Sequence, residues 1–120
     1  MAVEQPVRAH PSPQRVRHAR EALLDPSANS LLRSVREIMC EPTRTQIVRA
    51  LSKGPLAVSE LASILGRSKS ATSQHLRALR EAGVVTARRR GRVVMYSLGT
   101  TPMVAATVEM LDQAASLAVD

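Results

Sequence analysis

Apolar residues recur every three or four positions along most of the chain, a spacing that predicts helices separated by short turns. Residues 1–13 lack this period and contain three prolines, so they are expected to form a flexible tail. The remainder, 14–120, is predicted to be one domain. It opens with a short helix, and Pro26 then starts a second helix whose apolar stripe is Leu31, Val35, Ile38 and Met39.

Two apolar stripes in the middle of the chain lie on either side of a tight turn. The first has the i, i+3, i+4, i+7 spacing of one helix face and consists of Val58, Leu61, Ala62 and Leu65. It ends at Gly66, and Ser68 is a good N-cap for the following helix. That helix places Thr72, Leu76 and Leu79 on its inner side. Two helices joined by so short a turn predict a helix-turn-helix.

The helical period gives way to a strand pattern after the second of these helices. The β-prone runs 84–87 and 93–96 flank Arg88-Arg89-Arg90-Gly91-Arg92, which predicts a hairpin with a glycine in its tip and four arginines around it. A basic hairpin directly after a helix-turn-helix is a wing. The predicted fold class is therefore mainly α with a β-hairpin wing, a winged helix-turn-helix.

The last predicted helix begins at Thr101-Pro102 and is apolar on two sides. Such a helix needs two partners, and a single thin domain offers only one. We therefore expect a homodimer with an α-helical interface, to which helices at both ends of the domain contribute. The residues predicted for this interface are Met103, Val104, Thr107, Val108 and Leu111.

Composition and charge narrow the function. Tyr96 is the only aromatic residue, so the core must be aliphatic, and folds that stack single-stranded bases on aromatic platforms are disfavoured. The 120 residues carry a net charge of +7, and residues 67–98 alone carry eight basic residues and one acid, whereas 99–120 carry three acids and no base. This concentration of positive charge predicts a polyanion as partner.

Other classes of protein lack support in the sequence. No apolar run approaches the ~20 residues of a membrane span, and residues 1–13 lack the apolar core of a signal peptide. One cysteine excludes an internal disulfide and fits a reducing cytosol, so a cytoplasmic protein without membrane contact is expected. Without a phosphate-binding loop or a convergent set of nucleophile, base and acid, neither an enzyme nor a cofactor is expected.

Residues 31–98 resemble the ArsR/SmtB family of bacterial winged-helix repressors, because several motifs occur in order. The matching segments are Met39-Cys40-Glu41-Pro42-Thr43-Arg44 for "L-A-D-P-T-R", Val58-Ser59-Glu60-Leu61-Ala62 for "V-x-E-L-A", Ser68 to Leu76 for "S-x-x-x-x-S-x-H-L", Leu79-Arg80-Glu81-Ala82-Gly83-Val84-Val85 for "L-R-E-A-G-L-V", and Arg90-Gly91-Arg92 with Tyr96-Ser97-Leu98 for the wing. The resemblance implies a cytosolic homodimer that represses its own promoter from an imperfect palindrome and is released by a ligand.

The residue types in this region fit that role. A recognition helix reads base edges with its N-terminal residues, whereas arginines further along it and on the wing suit phosphates. The predicted DNA-binding residues are Ser68, Lys69, Ser70, Ser73, Gln74, His75, Arg77, Arg80, Arg88, Arg89, Arg90 and Arg92. His75 matches the family's recognition-helix histidine, for which a contact with a phosphate or a contact that positions the helix is favoured, and a single hydrogen bond on the helix surface is the alternative. A non-specific architectural DNA-binding protein remains an alternative to a repressor.

The departures from the family concern the signal. Metal sensors of the family carry thiolates where this chain has Ala57 and Ser59, and no histidine follows His75, so no metal site is expected. Cys40 lies in the family's small-residue position before Pro42, which favours a buried structural thiol. The alternative is a redox-responsive repressor that senses through Cys40, with Arg36 and Arg44 each four residues away. The inducer, the regulated genes and the operator sequence are not predicted.

Overall fold

In the computed structural model, which describes residues 11–118, proline occupies the first turn of four helices. Proline suits this position because its missing N–H would have no helical partner there. The elements are α1 (Pro13–Glu21), α2 (Pro26–Leu31), α3 (Arg33–Met39), α4 (Pro42–Leu51), β1 (Leu56–Ala57), α5 (Val58–Leu65), α6 (Lys69–Glu81), β2 (Val85–Arg90), β3 (Val93–Leu98) and α7 (Pro102–Leu117). The predicted fold class, a winged helix-turn-helix, is confirmed. Within the described residues, no helix is both long and apolar enough to cross a membrane.

The first helix begins earlier than the sequence predicts. Ser12 caps α1, its hydroxyl oxygen accepting a hydrogen bond from the Arg15 N–H, and Pro13 is the first helical residue. The predicted tail therefore extends two residues too far, and its first ten residues lie outside the described part of the chain. No residue of α1 is buried, so this helix does not contribute to the hydrophobic core of its own chain.

The predicted second helix is interrupted. It divides at Leu32 into α2 and α3, and the burial pattern shifts with the division. Ser34 and Ile38 are the buried residues of α3, whereas Leu31 and Met39 are 63% and 48% exposed. The predicted apolar stripe is thus wrong at both of its ends: Leu31 lies in α2, which buries no residue, and Met39 is the exposed last residue of α3.

The core is aliphatic, as the composition requires. It lies where α3, α4, α5, α6 and the base of the hairpin meet, and α7 closes one side of it. Its buried members are Ile38, Ile47, Val48, Leu51, Leu61, Leu76, Leu79, Val84, Val85 and Leu111. Thr72 is buried beside them, and its hydroxyl donates to the Ser68 carbonyl at 2.8 Å, so this buried hydroxyl is paired. The inner face predicted for α6 is confirmed.

The wing belongs to a three-stranded antiparallel sheet in the order β1-β3-β2. Strand β1 was not predicted from the sequence; it places Leu56 opposite Tyr96, which also faces Ala87 of β2 across the ladder. The hairpin strands are longer than predicted, so Arg88, Arg89 and Arg90 belong to β2 rather than to the tip. The turn itself consists of Gly91 and Arg92, and Gly91 has the positive φ of 63° that glycine adopts without strain.

Helix α7 reaches the core through one of its two apolar faces. Val104, Thr107 and Leu111 are 1%, 2% and 8% exposed, and Val108 packs against the core cluster. The prediction that these residues form the dimer interface is therefore wrong for the three buried ones, since they pack within their own chain. Met103 is half-buried and remains at the surface. The sequence did not distinguish the inner apolar face from the outer one.

Candidate DNA interface

The turn between α5 and α6 sets the position of the recognition helix. Gly66 ends α5 with φ 64° and ψ 34°, and the Arg67 N–H donates back to the Ala62 carbonyl at 3.0 Å. This left-handed cap reverses the chain within three residues. Ser68 then caps α6, its hydroxyl oxygen accepting from the Ala71 N–H at 3.0 Å. The Ser68 oxygen is thus used by the helix, and its hydroxyl hydrogen is the part left for an anion.

The outer face of α6 is exposed over its whole length. Its exposed side chains are Lys69, Ser70, Ser73, Gln74, Arg77 and Arg80. Arg77 approaches Glu81 at 3.4 Å, but the arginine side chain is 83% exposed, so this pair contributes little. No other ion pair within residues 11–118 involves this face. A row of positive charge and hydrogen-bonding groups, in which Arg77 alone has an ion-pair partner among the described residues, is suited to a polyanion.

The wing arginines are arranged by the alternation of a strand. Arg88 and Arg90 point to one side of β2 and Arg89 to the other, whereas Arg92 stands in the turn. All four are exposed, and none forms an ion pair with another described residue. The hairpin therefore presents positive charge on both of its sides and at its tip.

His75 differs from the other predicted DNA-binding residues. Its Nδ1 accepts a hydrogen bond from the Arg44 Nε–H at 3.2 Å, and its Nε2 lies 3.6 Å from a carboxylate oxygen of Glu41. The ring is three-quarters buried against α4 rather than directed outward with its neighbours on α6. Both ring nitrogens of His75 face α4, so this geometry does not support the predicted contact with DNA. We call Glu37, Cys40, Glu41, Arg44 and His75 together the Arg44 cluster.

Glu41 is held ionised by its position as the N-cap of α4. Its carboxylate accepts from the Thr43 N–H at 2.7 Å and from the Thr43 hydroxyl at 3.2 Å. Desolvation acts to raise the pKa of Glu41, but these two hydrogen bonds, the backbone N–H of Arg44 and the positive charge that the His75 ring carries when it is protonated lower it below its usual value. A negative charge is thereby fixed beside the recognition helix.

Cys40 is exposed, which corrects the expectation of a buried structural thiol. Its thiol donates to the Glu37 carbonyl at 3.4 Å, and an Arg44 Nη–H points to its sulfur at 3.2 Å. Arg36, the other basic residue predicted near it, instead donates to the Asn29 side chain at 3.1 Å. The C-terminal cap of α3 lies outside the core, so packing does not cover this side chain.

Several known proteins resemble this chain in sequence and in fold. Residues 41–87 match the family model described as "Bacterial regulatory protein, arsR family". The HTH-type transcriptional regulator NmtR of Mycobacterium tuberculosis is 37% identical over 98 residues, which cover 82% of this chain and 78% of that protein. The chain belongs to the arsR family. Its members are DNA-binding transcriptional regulators, which confirms that the chain is a regulator and not an enzyme.

Two further arsR-family likenesses cover the same region. The transcriptional repressor SdpR of Bacillus subtilis is 33% identical over 70 residues, 58% of this chain and 78% of that one. The structure of HlyU from Vibrio cholerae superposes with a TM-score of 0.68 at 32% identity, covering 75% of this chain and 96% of HlyU. HlyU itself is described as a transcriptional activator. The family therefore fixes DNA binding, whereas the direction of regulation differs among these relatives.

Two residues of this arsR-family site were missed by the sequence reasoning. Arg67 is exposed in the turn directly before Ser68, next to the predicted base readers. Arg44 links the recognition helix to α3, and its position in the "P-T-R" segment was the only signal for it. Among residues 11–118, no three His, Cys, Asp or Glu side chains lie close enough together to hold a metal ion.

Proposed function

We propose that this arsR-family regulator is a homodimeric repressor that binds a palindromic operator in its own promoter. The observation that carries the proposal is the exposed positive surface formed by α6 and the wing, in which, among the described residues, only Arg77 has an ion-pair partner, the exposed Glu81. Because a two-fold dimer places two recognition helices in successive major grooves, the half-sites would lie about one helical turn apart. The bacterial chromosome lies in the cytoplasm, which is the proposed site of action.

The dimer part of the proposal is supported by apolar residues that face outward. Met110 and Leu117 on the outer side of α7 are 45% and 86% exposed, and Leu23 and Leu24 after α1 are 73% and 66% exposed. Leu31 and Met103 line a surface cavity of about 460 Å³ between α2 and α7. Large apolar side chains at both ends of a thin domain favour burial against a second copy. These residues replace the buried ones of the sequence prediction.

The DNA part divides between reading and anchoring. Lys69, Ser70, Ser73 and Gln74 lie in the first two turns of α6, and the amide of Gln74 can pair with both polar atoms on the major-groove edge of adenine. Arg77, Arg80 and the wing arginines are assigned to phosphates. Ser68 and Arg67 lie in the turn before α6, where a phosphate can meet the helix N-terminus.

The test is the ratio of specific to non-specific affinity. Fragmented genomic DNA retained by the purified full-length protein is sequenced, and the selected site is compared with a scrambled one by fluorescence anisotropy at several salt concentrations. We expect the selected site to include the promoter of this protein's own gene and to bind at least about 10³-fold more tightly. A ratio near one with a steep salt dependence would indicate the architectural alternative instead.

A second candidate concerns the signal and is favoured by one observation, the exposed Cys40 thiol beside the Arg44 guanidinium. We propose that covalent modification of this thiol weakens operator binding, because a group added to the sulfur would displace Arg44. N-ethylmaleimide is a suitable probe, since the thiolate adds across its double bond and nothing leaves. Operator affinity should fall on treatment of the wild type and stay constant for Cys40→Ser. Equal affinity before and after complete modification of the wild type would exclude this candidate.

A further inference from the structure

The Arg44 cluster joins three elements through one guanidinium. Arg44 lies on α4 and its side chain is only 17% exposed. Its Nη1 donates to the Glu37 carboxylate at 2.5 Å and to the Glu37 carbonyl at 3.3 Å, both on α3. Its Nε donates to Nδ1 of His75 on α6 at 3.2 Å. The recognition helix is therefore connected to the body of the domain by a polar contact in addition to its apolar inner face.

This geometry specifies the protonation state of His75. A ring nitrogen that accepts from an N–H carries no hydrogen, so the His75 ring is neutral with its hydrogen on Nε2. That hydrogen faces the Glu41 carboxylate, whose oxygen is 3.6 Å away. Arginine keeps its charge at all ordinary pH values, so it is always a donor. The contact between Arg44 and His75 exists only while Nδ1 is unprotonated.

We propose that His75 is a positioning residue for operator recognition, which holds α6 in register on α4 through Arg44 and does not touch DNA. This inference rests on the proposed function. The outer residues of α6 read bases only if the helix sits at a fixed depth and rotation in the groove, and a misplacement of a fraction of an ångström weakens a bidentate contact. His75 directly follows Gln74 in α6 and lies about 100° around the helix axis from it, so the contact fixes the rotation at which the base-reading face is presented.

Protonation of His75 would exchange its partners. The added hydrogen on Nδ1 would meet the Arg44 Nε–H, a donor against a donor and a positive charge against a positive charge. The doubly protonated ring would instead be drawn to Glu41, the carboxylate that faces Nε2. Glu37 on α3 already binds Arg44, and the Cys40 thiol faces the guanidinium rather than the ring. A doubly protonated ring would therefore lose the contact with Arg44 and turn toward Glu41.

Four variants test the proposal through operator affinity. His75→Leu and Arg44→Gln should each weaken binding by about tenfold or more, the order expected for a charged hydrogen bond. The double variant should lose no more than the larger single loss, because both remove the same contact. His75→Asn offers an acceptor oxygen at the place of Nδ1 and should bind within about threefold of the wild type.

A matched control lies on the same helix. Arg49 of α4 also forms an ion pair, 2.7 Å from Asp112, but this partner lies on α7 rather than on α6. Arg49→Gln should leave operator affinity within about twofold of the wild type, as for a partly exposed pair. Losses of equal size for Arg44→Gln and Arg49→Gln would overturn the proposal, as would wild-type affinity for His75→Leu. Thermal unfolding of each variant separates loss of fold from loss of register.

The free protein gives a readout that needs no DNA. Nitrogen chemical shifts of the His75 ring should identify Nε2 as the protonated atom of the neutral form. A neutral ring with its hydrogen on Nδ1 would overturn the proposal, since that atom would then donate and not accept. If the wild type preferred no DNA sequence at all, the proposed function would fail, and the ring shifts would still decide whether the contact exists.

Discussion

Helices α6 and α7 pack in the same way on their inner sides and differ on their outer sides. Each buries aliphatic side chains against the common core, Leu76 and Leu79 from α6 and Val104 and Leu111 from α7. The outer side of α6 is basic and polar, whereas that of α7 exposes Met110 and Leu117 and carries acids. The inner faces of both helices thus form the core, whereas the outer faces are free for a partner, which we propose is DNA for α6 and a second copy for α7.

The largest expected effect is on the inner faces, where α6 and α7 should contribute about equally to the free energy of unfolding. Leu111→Ala should lower the free energy of unfolding by about 2–5 kcal/mol, because it leaves a cavity in the core. Leu76→Ala on α6 should lower it by a similar amount. Urea denaturation measures both. If Leu111→Ala kept its full stability but dissociated to monomers, Leu111 would belong to the dimer interface. The inner faces of α6 and α7 would then differ in role.

The next effect concerns the outer face of α6. Gln74→Ala should cost about 1–3 kcal/mol on the operator and remove the preference at one base pair. Arg92→Ala should instead weaken all sequences alike and reduce the salt dependence by about one unit, because its proposed partner is a phosphate. Anisotropy titrations with single-base operator variants measure the two. Loss of sequence preference in Arg92→Ala, with none in Gln74→Ala, would reverse their roles.

The outer face of α7 gives the third effect. Leu117→Glu should raise the dimer dissociation constant by about tenfold or more, since it puts a charge into an apolar contact, and sedimentation measures the change. Ser116→Glu is the control, because residue 116 follows Glu109 and Asp112 along the polar side of the helix. Equal behaviour of the two variants would mean that the exposed apolar residues of α7 do not form the interface.

The smallest expected effect is a loss of stability at acidic pH that originates at Glu41 of the Arg44 cluster. The folded-state pKa of Glu41 is lowered, so its ionised form stabilises the fold above the ordinary carboxyl pKa, and this contribution disappears as pH falls through the lowered value. Glu41→Gln should remove that part of the pH dependence and leave the rest. Urea midpoints from about pH 7 to about pH 3 measure it. Identical profiles for the two proteins would contradict the assignment.

The same contrast explains what the sequence alone predicts. The inner face of α6 was predicted because apolar positions alternate with charged ones, so only one orientation avoids burying charge. Helix α7 has apolar residues on both sides. Five of its residues were predicted to form the dimer interface, although three of them, Val104, Thr107 and Leu111, are buried in their own chain. Periodicity reports which positions are apolar and not which apolar surface meets which neighbour.

The other features that the sequence did not predict depend on contacts between residues far apart in the chain. Strand β1 is two residues long and exists because β3 lies beside it, 38 or more residues further on. His75 faces α4 because Arg44, 31 residues earlier, donates to it. The local pattern of apolar and polar residues does not show which distant residues will be in contact. The fold class, the recognition helix and the wing were predictable since each is encoded within one contiguous segment.

The single aromatic residue has a practical consequence for spectroscopy. Tyr96 is the only tyrosine, and the chain contains no tryptophan or phenylalanine. It is half-buried in the middle strand of the sheet, opposite Leu56 on one side and Ala87 on the other. All intrinsic fluorescence and near-ultraviolet circular dichroism from aromatic side chains of this protein therefore originates at the root of the wing. An unlabelled sample reports on that one place, and an operator-induced movement of the hairpin is visible without attaching a dye.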